Sequence, residues 1–175
     1  LYFHVCDMSE CIRAWESLPH PVIVKPVDSS GSRGVSRVAE REDLDKAFLR
    51  ALQESRLRQV IVEEYVAGIE YSVETMVLNG KQHIVQVTEK LTTGAPFFVE
   101  AGHFQSALLD PMLYDKVRDL VDKSSEVLGI MNGPTHTEIM IKDGEPYIIE
   151  VGGRLGGDFI TSDLVPLSTG INMVS

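Results

Sequence analysis

Cysteine is scarce: Cys6 and Cys11 stand alone, five positions apart. That spacing excludes a C-x-x-C redox pair, offers no second pair for a thiolate zinc site, and fits free thiols in a reducing compartment. Basic charge is short as well, 16 Lys and Arg against 26 Asp and Glu, a net charge of −10. Binding DNA or RNA through a broad basic surface is thereby excluded, although a local basic pocket is not. No apolar run reaches the ~18 residues of a membrane span, and no basic-then-apolar leader opens the chain. Repeats and low-complexity tracts are missing. The expectation is a cytoplasmic protein with neither nucleic-acid nor membrane partners. The chain opens on Leu1 and closes on "GINMVS", which reads as a segment of a longer protein.

What is present suffices for a core. With 175 residues, 43% of them hydrophobic, the chain can bury one domain or two small lobes. "SECIRAWESL" from Ser9 reads as a short amphipathic helix capped by Ser9. "HPVIVKPV" is a buried strand closed by Pro26, and "DSSGSRGVS", 28–36, is a glycine-rich loop leading into the short strand "VSRV". Leu44, Ala47, Phe48, Ala51 and Leu52 recur at helical spacing. "QVIVEEYV" is a strand, and the alternating run from Glu70 to Lys90 predicts a hairpin turning at Asn79-Gly80. Loop and strand mix in "LTTGAPFFVEAGHFQSALL". Asp110 caps a helix that has Pro111 at its first position and ends at Gly129. "HTEIMIKDGEPYIIEV" is a second hairpin, and "GGRLGGD" then leads into helical material. Strand pairs interleaved with helices predict an α+β fold with mainly antiparallel sheets. A soft boundary near "TTGAP" separates a small lobe, 1–92, from a larger one, 93–175.

Three groupings invite chemistry, and each also has a plain structural reading. Lys25 ends an apolar strand and precedes Ser30, Gly31 and Ser32, a loop whose backbone N–H groups could cradle phosphates. Without phosphate such a lysine is expected to face water; it could equally snorkel before an ordinary loop. In "VEEYVAGIE", Glu63, Glu64 and Glu70 flank a short linker that could frame a nucleoside, or be solvated acids on an edge strand. Glu138 and Glu150 sit within the apolar strands of one hairpin, hard oxygen donors of the kind Mg²⁺ takes; alternation could instead point each to solvent. Arg154 follows with a fork of donors for a phosphoryl or carboxylate oxygen, or for a surface salt bridge.

The hairpin allows a sharper test. A plain two-residue turn at Asp143-Gly144 pairs Lys142 with Glu145 and sets Glu138 opposite Ile149, with Glu150 on the other face. A shared cation then becomes impossible. A common site therefore predicts an odd-length or bulged connection, such as a three-residue loop that pairs Lys142 with Pro146.

The order of these groupings resembles the ATP-grasp superfamily from about Phe3 to Ser175. Within it the chain resembles carboxylate–amine ligases of the L-amino-acid-ligase and carbamoyl-phosphate-synthetase types. The resemblance implies two α+β lobes gripping ATP between them. It implies Lys25 on the phosphates with 28–36 as a mobile lid, the backbone around Glu64 and Val66 on adenine, and Glu70 on the ribose. Lys90 in "TEK" would add a second cation, and Glu138 and Glu150 would hold Mg²⁺ or Mn²⁺. Arg154 would stabilise the transferring phosphoryl group, with Glu100 and His103 in "FVEAGH" facing the substrate. Gly152 stands where many members carry Asn. The family's preceding domain is absent from this stretch, which implies that the stretch alone is inactive.

The implied reaction is ATP-dependent: a carboxylate becomes an acyl phosphate and an amine displaces phosphate to form an amide-like bond. Small-molecule carboxylates and amines are then the partners, with the missing parts of the same protein, and a homodimer is allowed. Two alternatives stay open: a nucleotide-binding module without catalysis, and the lobe of a bicarbonate-activating carboxylase or synthase.

Overall fold

A computed structural model describes residues 1–94 and 100–174. The stretch 95–99, which includes part of the expected boundary and of the "FVEAGH" motif, lies outside the described residues. The chain divides into two compact units, one of 1–65 with 92–100 and one of 66–91 with 101–175.

In the first unit four strands, β1 (Tyr2–Val5), β2 (Val22–Pro26), β3 (Ser36–Val38) and β4 (Val60–Glu64), form an antiparallel sheet in the order β1-β4-β2-β3. Two helices, α1 (Met8–Ser17) and α2 (Leu44–Glu54), cover one face. The valines at alternate positions of β2 and β4, Val22, Val24, Val60 and Val62, meet Leu44, Ala47, Phe48 and Ala51 of α2 in one core. The N-cap of α1 is Asp7, not the expected Ser9. Its Oδ1 accepts the Glu10 N–H at 2.9 Å, while Glu10 Oε2 accepts from the Cys6 N–H at 2.8 Å. This reciprocal pair satisfies two donors at once, which a serine two residues later cannot do.

The second unit carries a five-stranded sheet, order β7-β6-β5-β8-β9, built from β5 (Ile69–Leu78), β6 (Lys81–Thr92), β7 (Glu100–Phe104), β8 (Gly133–Lys142) and β9 (Glu145–Gly152). The expected division at 92/93 does not match this arrangement. The hairpin β5–β6 pairs through β5 with β8 along nine positions, so its ladder belongs with the later strands. Asn79 and Gly80 take φ of 53° and 77° and join Leu78 to Lys81, the two-residue turn expected. Helix α3 (Pro111–Val127), capped by Asp110, packs Val117 and Val121 on one face of the sheet against Tyr71, Val73, Val87 and Ile139. A single π turn (Ile160–Leu164) and the short α4 (Val165–Thr169) follow β9, and Ile160, Val165 and Met173 cluster with Met76 and Val85.

The β8–β9 hairpin meets half of the sequence argument. Glu138 does oppose Glu150. The connection, however, is the plain two-residue turn, Asp143 and Gly144 at φ 52° and 74°, with Lys142 paired to Glu145. The odd residue is absorbed further along, where Ile139 pairs with Ile148 and Ile149 bulges out. Two successive positive-φ positions suit Asp-Gly and match strand twist, so the turn keeps its preferred form and the ladder yields instead.

Candidate active site

Alternation decides which side chains leave each core. In the first unit, burying Val22, Val24 and Val62 turns Lys25 and Glu63 to the opposite face. The register pairs Lys25 with Ile61 and Ile23 with Glu63, which makes Lys25 and Glu63 diagonal neighbours. Lys25 Nζ lies 2.7 Å from Glu63 Oε1, with side chains only 15% and 20% exposed. The water-facing lysine expected from sequence is thus shielded, because Glu63 offers charge compensation that solvent would otherwise supply.

The loop after β2 is exposed at Ser30, Gly31 and Ser32, and Gly31 and Ser32 take φ of 65° and 55°. Its roots are fixed. Asp28 accepts from Ser55 Oγ at 2.7 Å and from the Leu57 N–H at 3.0 Å, and the Ser55 bond chiefly holds its carboxyl below the usual range. Gly34 packs where a Cβ would meet Glu54 and Pro26 at 3.0–3.2 Å. At the end of β4, the N–H groups of Glu64 and Tyr65 donate to Leu1 and Pro21 carbonyls, and Arg37 lies 5.1 Å over the Tyr65 ring. Val66 falls in the irregular segment between β4 and β5.

The second unit gathers the densest charge. Tyr71, Val73 and Ile139 face α3, so Glu70, Ser72 and Glu74 of β5 share the other face with His136 and Glu138 of β8, which oppose Glu74 and Ser72. Lys90, 4% exposed, holds Glu70 Oε1 and Glu138 Oε1, each at 2.8 Å. His136 donates from Nδ1 to Glu74 Oε1 at 2.6 Å and from Nε2 to Glu138 Oε1 at 3.4 Å. Burial alone would lower the imidazole pKa. The hydrogen bonds to Glu138 and Glu74, with their charges, overcome it and raise the group to about 9. The same burial would raise the Glu138 carboxyl, but His136 and Lys90 pull it down to about 2. His136 and Glu138 are therefore both charged at neutral pH and hydrogen-bonded to each other.

Glu70, Glu74 and Glu138 share this face with Lys90 and His136, and register sets Glu150 opposite Glu138. Arg154 lies exposed two residues past β9, donating to the Leu155 carbonyl at 2.9 Å. Gly152 gives it room: a Cβ there would sit 3.3 Å from the Arg154 stem. His103, in β7, lies with a ring nitrogen within 4.8 Å of the Asp158 carboxylate.

The description "ATP-grasp domain" matches residues 18–163. The chain belongs to the ATP-grasp family. Its α+β architecture with antiparallel sheets is the ATP-grasp fold, and the crystal structure of an L-amino acid ligase from Bacillus licheniformis superposes with a TM-score of 0.82. That protein is 31% identical, over 99% of this chain and 40% of its own. Among ATP-grasp relatives, an alanine–anticapsin ligase from Bacillus subtilis is 28% identical, covering 87% of this chain and 37% of the relative. A D-alanine–D-alanine ligase from Flavobacterium psychrophilum is 28% identical over 89% of this chain and 48% of the relative. The chain spans less than half the length of each of these ATP-grasp proteins. No helix among the described residues is long and apolar enough to cross a membrane.

Of the residues suggested by sequence, the structure brings Glu70, Lys90 and Glu138 into direct contact, sets Glu150 opposite Glu138, and pairs Lys25 with Glu63. Sequence reasoning missed Glu74, His136 and Asp158. The "EYSVETM" and "HTE" alternation did put Glu74 and His136 on the strand faces of Glu70 and Glu138, a signal that could have found them.

Proposed function

We propose that this chain is the nucleotide- and metal-binding part of an ATP-dependent ligase that activates a carboxylate as an acyl phosphate for attack by an amine. The observation that carries it is the Glu138–Glu150 pair, directly opposed on a polar sheet face backed by Lys90. Its likeness to proteins named as L-amino acid ligase and alanine–anticapsin ligase supports amino acids as the substrates.

The donor set fits Mg²⁺. Both opposed ligands are hard carboxylate oxygens, the donor type that Mg²⁺ takes. Glu138 and Glu150 would hold the ion, which when bound supplies Lewis acidity and a template for phosphate oxygens. Lys90 keeps Glu138 ionised and offsets charge from the buried side. Lys25 exchanges part of its contact with Glu63 for nucleotide phosphate, and the loop at 28–36 excludes water from the acyl phosphate. Backbone groups at Glu64 and Val66 read adenine, and Glu70 reaches a ribose hydroxyl. Arg154 stabilises charge that develops on the transferring group. Phosphoryl transfer asks the protein chiefly for this positioning and neutralisation. Glu100 and His103 contribute to substrate selection.

The test is ADP release by the full-length protein with pooled amino acids, then with bicarbonate. Release with amino acids and Mg²⁺ only supports the ligase. Release with bicarbonate alone indicates a carboxyphosphate-forming enzyme, and nucleotide binding without turnover indicates a module without catalysis.

A further inference from the structure

Glu74 is fully buried in the middle of the sheet, an expensive place for a carboxylate. One oxygen, Oε1, accepts from His136 Nδ1 at 2.6 Å. The other, Oε2, has no hydrogen-bond partner among the described residues. The β5–β6 ladder breaks register beside it, between Glu74 and Thr75, so that Glu74 pairs with Gln86 and Thr75 with Ile84. The extra residue is Val85 of β6, and β5 keeps its register with β8 through Glu74 and Thr75, which holds Glu74 directly opposite His136. None of this is needed to fold a strand, and a leucine would bury there at less cost.

The same carboxylate is covered by the loop that follows β9. A Cβ added to Gly156 would lie 2.7 Å from Glu74 Oε2 and 2.9 Å from Oε1. Gly156 has no left-handed φ to explain it; it is there for room. Thr161 Oγ1 fixes this loop from the other side by donating to the Gly156 carbonyl at 3.0 Å. The loop carries Arg154. On the opposite side of the imidazole, His136 Nε2 reaches Glu138 Oε1 at 3.4 Å.

We infer that Glu74 and His136 are positioning residues: they orient Glu138 for the metal and, by close contact at Gly156, set the loop that carries Arg154. The inference rests on the assignment of Glu138 and Glu150 as metal ligands made above. A ligating carboxylate whose outer oxygen is held by fixed donors loses less freedom on binding, and removing such support costs about 10–100-fold in metal affinity. Lys90 holds the same Glu138 oxygen, so the imidazole's contribution is to direction rather than to charge alone.

The experiment uses the full-length protein with ADP, measuring Mn²⁺ affinity by titration and electron paramagnetic resonance, and ADP affinity with no divalent ion present. Glu74→Leu and His136→Gln are expected to weaken Mn²⁺ binding about 10–100-fold and to leave metal-free ADP affinity within about twofold. Glu74→Gln keeps an acceptor for Nδ1 and is expected to recover most of the Mn²⁺ affinity. Gly156→Ala, which adds only a methyl group on the loop, is expected to weaken Mn²⁺ binding and to lower kcat with little change in KM for ATP. Glu138→Gln is the reference. If it abolishes Mn²⁺ binding while Glu74→Leu, His136→Gln and Gly156→Ala leave it unchanged, the positioning role is overturned and the metal assignment stands. If Glu138→Gln leaves Mn²⁺ binding intact, the metal assignment itself falls. Should Glu74→Leu fail to fold, Gly156→Ala and His136→Gln decide: equal losses of Mn²⁺ and ADP binding in both would mean a structural role and overturn the inference.

Discussion

Replacing Lys90 by methionine keeps most of the side chain's length and removes its charge. In the structure its ammonium sits 2.8 Å from both Glu70 and Glu138 at 4% exposure. The substitution therefore takes the shared ammonium from two carboxylates on one side of a sheet and leaves Glu138 only its contact with His136. Removing one partner of a buried ion pair costs about 3–5 kcal/mol. Glu70 and Glu138 keep 16% and 20% of their side-chain surface, so water screens part of the loss and about 3 kcal/mol is expected. Hydrogen exchange followed by mass spectrometry at pH 7.5, with chelator to exclude divalent ions, reads this directly. Amides of β5 and β8 that open only with the whole second unit should exchange roughly 150-fold faster. The pH dependence has a definite sign. In the wild type the Glu138 carboxyl stands at about 2 against an ordinary 4.5, so its contribution is complete above 4.5 and fades as pH falls toward 2. Without Lys90 only His136 opposes the upward push of burial, so the carboxyl takes up its proton at a higher pH than in the wild type and the deficit shrinks as pH falls toward 2. Exchange within threefold of wild type at pH 7.5 would refute the reasoning.

Lys25→Met should raise the dissociation constant for ATP about tenfold, the value of one charged hydrogen bond, and lower the melting temperature by a few degrees because Glu63 loses its partner; calorimetry and thermal melts separate the two. A lower melting temperature with unchanged affinity would make Lys25 structural only. Cys11 is fully buried with its thiol pushed up to about 11 by burial, whereas Cys6 is exposed, so at pH 8 a thiol reagent should label one cysteine until denaturant is added; two fast equivalents would contradict the packing. Gly68→Ala places a Cβ 2.2 Å from the Ile141 carbonyl oxygen and should cost about 2–3 kcal/mol, seen as a drop in melting temperature, which an unchanged melt would rule out.

Local rules carried well wherever the determinants were local. Leu44, Ala47, Phe48 and Ala51 do line the buried side of α2, and Asp110 with Pro111 does open α3, because spacing and capping depend on residues within one turn. The cap of α1 lies within "DMSE", but serine and aspartate cap equally well and only the reciprocal Glu10 contact separates Asp7 from Ser9. The unit boundary was not legible. Whether β5 and β6 join earlier or later strands depends on pairing across more than sixty residues, to which composition is blind. Glu74 and His136 escaped for a related reason: an acid or histidine alternating with apolar residues reads as a wet sheet face, and nothing local says that this face is covered. Glu150 stands out in the sequence because its neighbours, Ile149 and Val151, are apolar on both sides, which makes a solvated reading awkward.

The bulge at Ile149 has a consequence for how this hairpin can change length. Eleven residues separate Glu138 from Glu150, and an odd number cannot be paired off around a two-residue turn, so one is always left over. Deleting Ile149 would remove the leftover and let the ladder run straight, with the two acids still face to face. Adding one residue to β8 between Glu138 and the turn would likewise give Ile149 a partner, whereas adding one to β9 would demand a second irregularity or a longer turn. The acids are held by parity rather than by any one neighbour, and natural variation in this hairpin should show single deletions in β9 and single insertions in β8 more readily than the reverse.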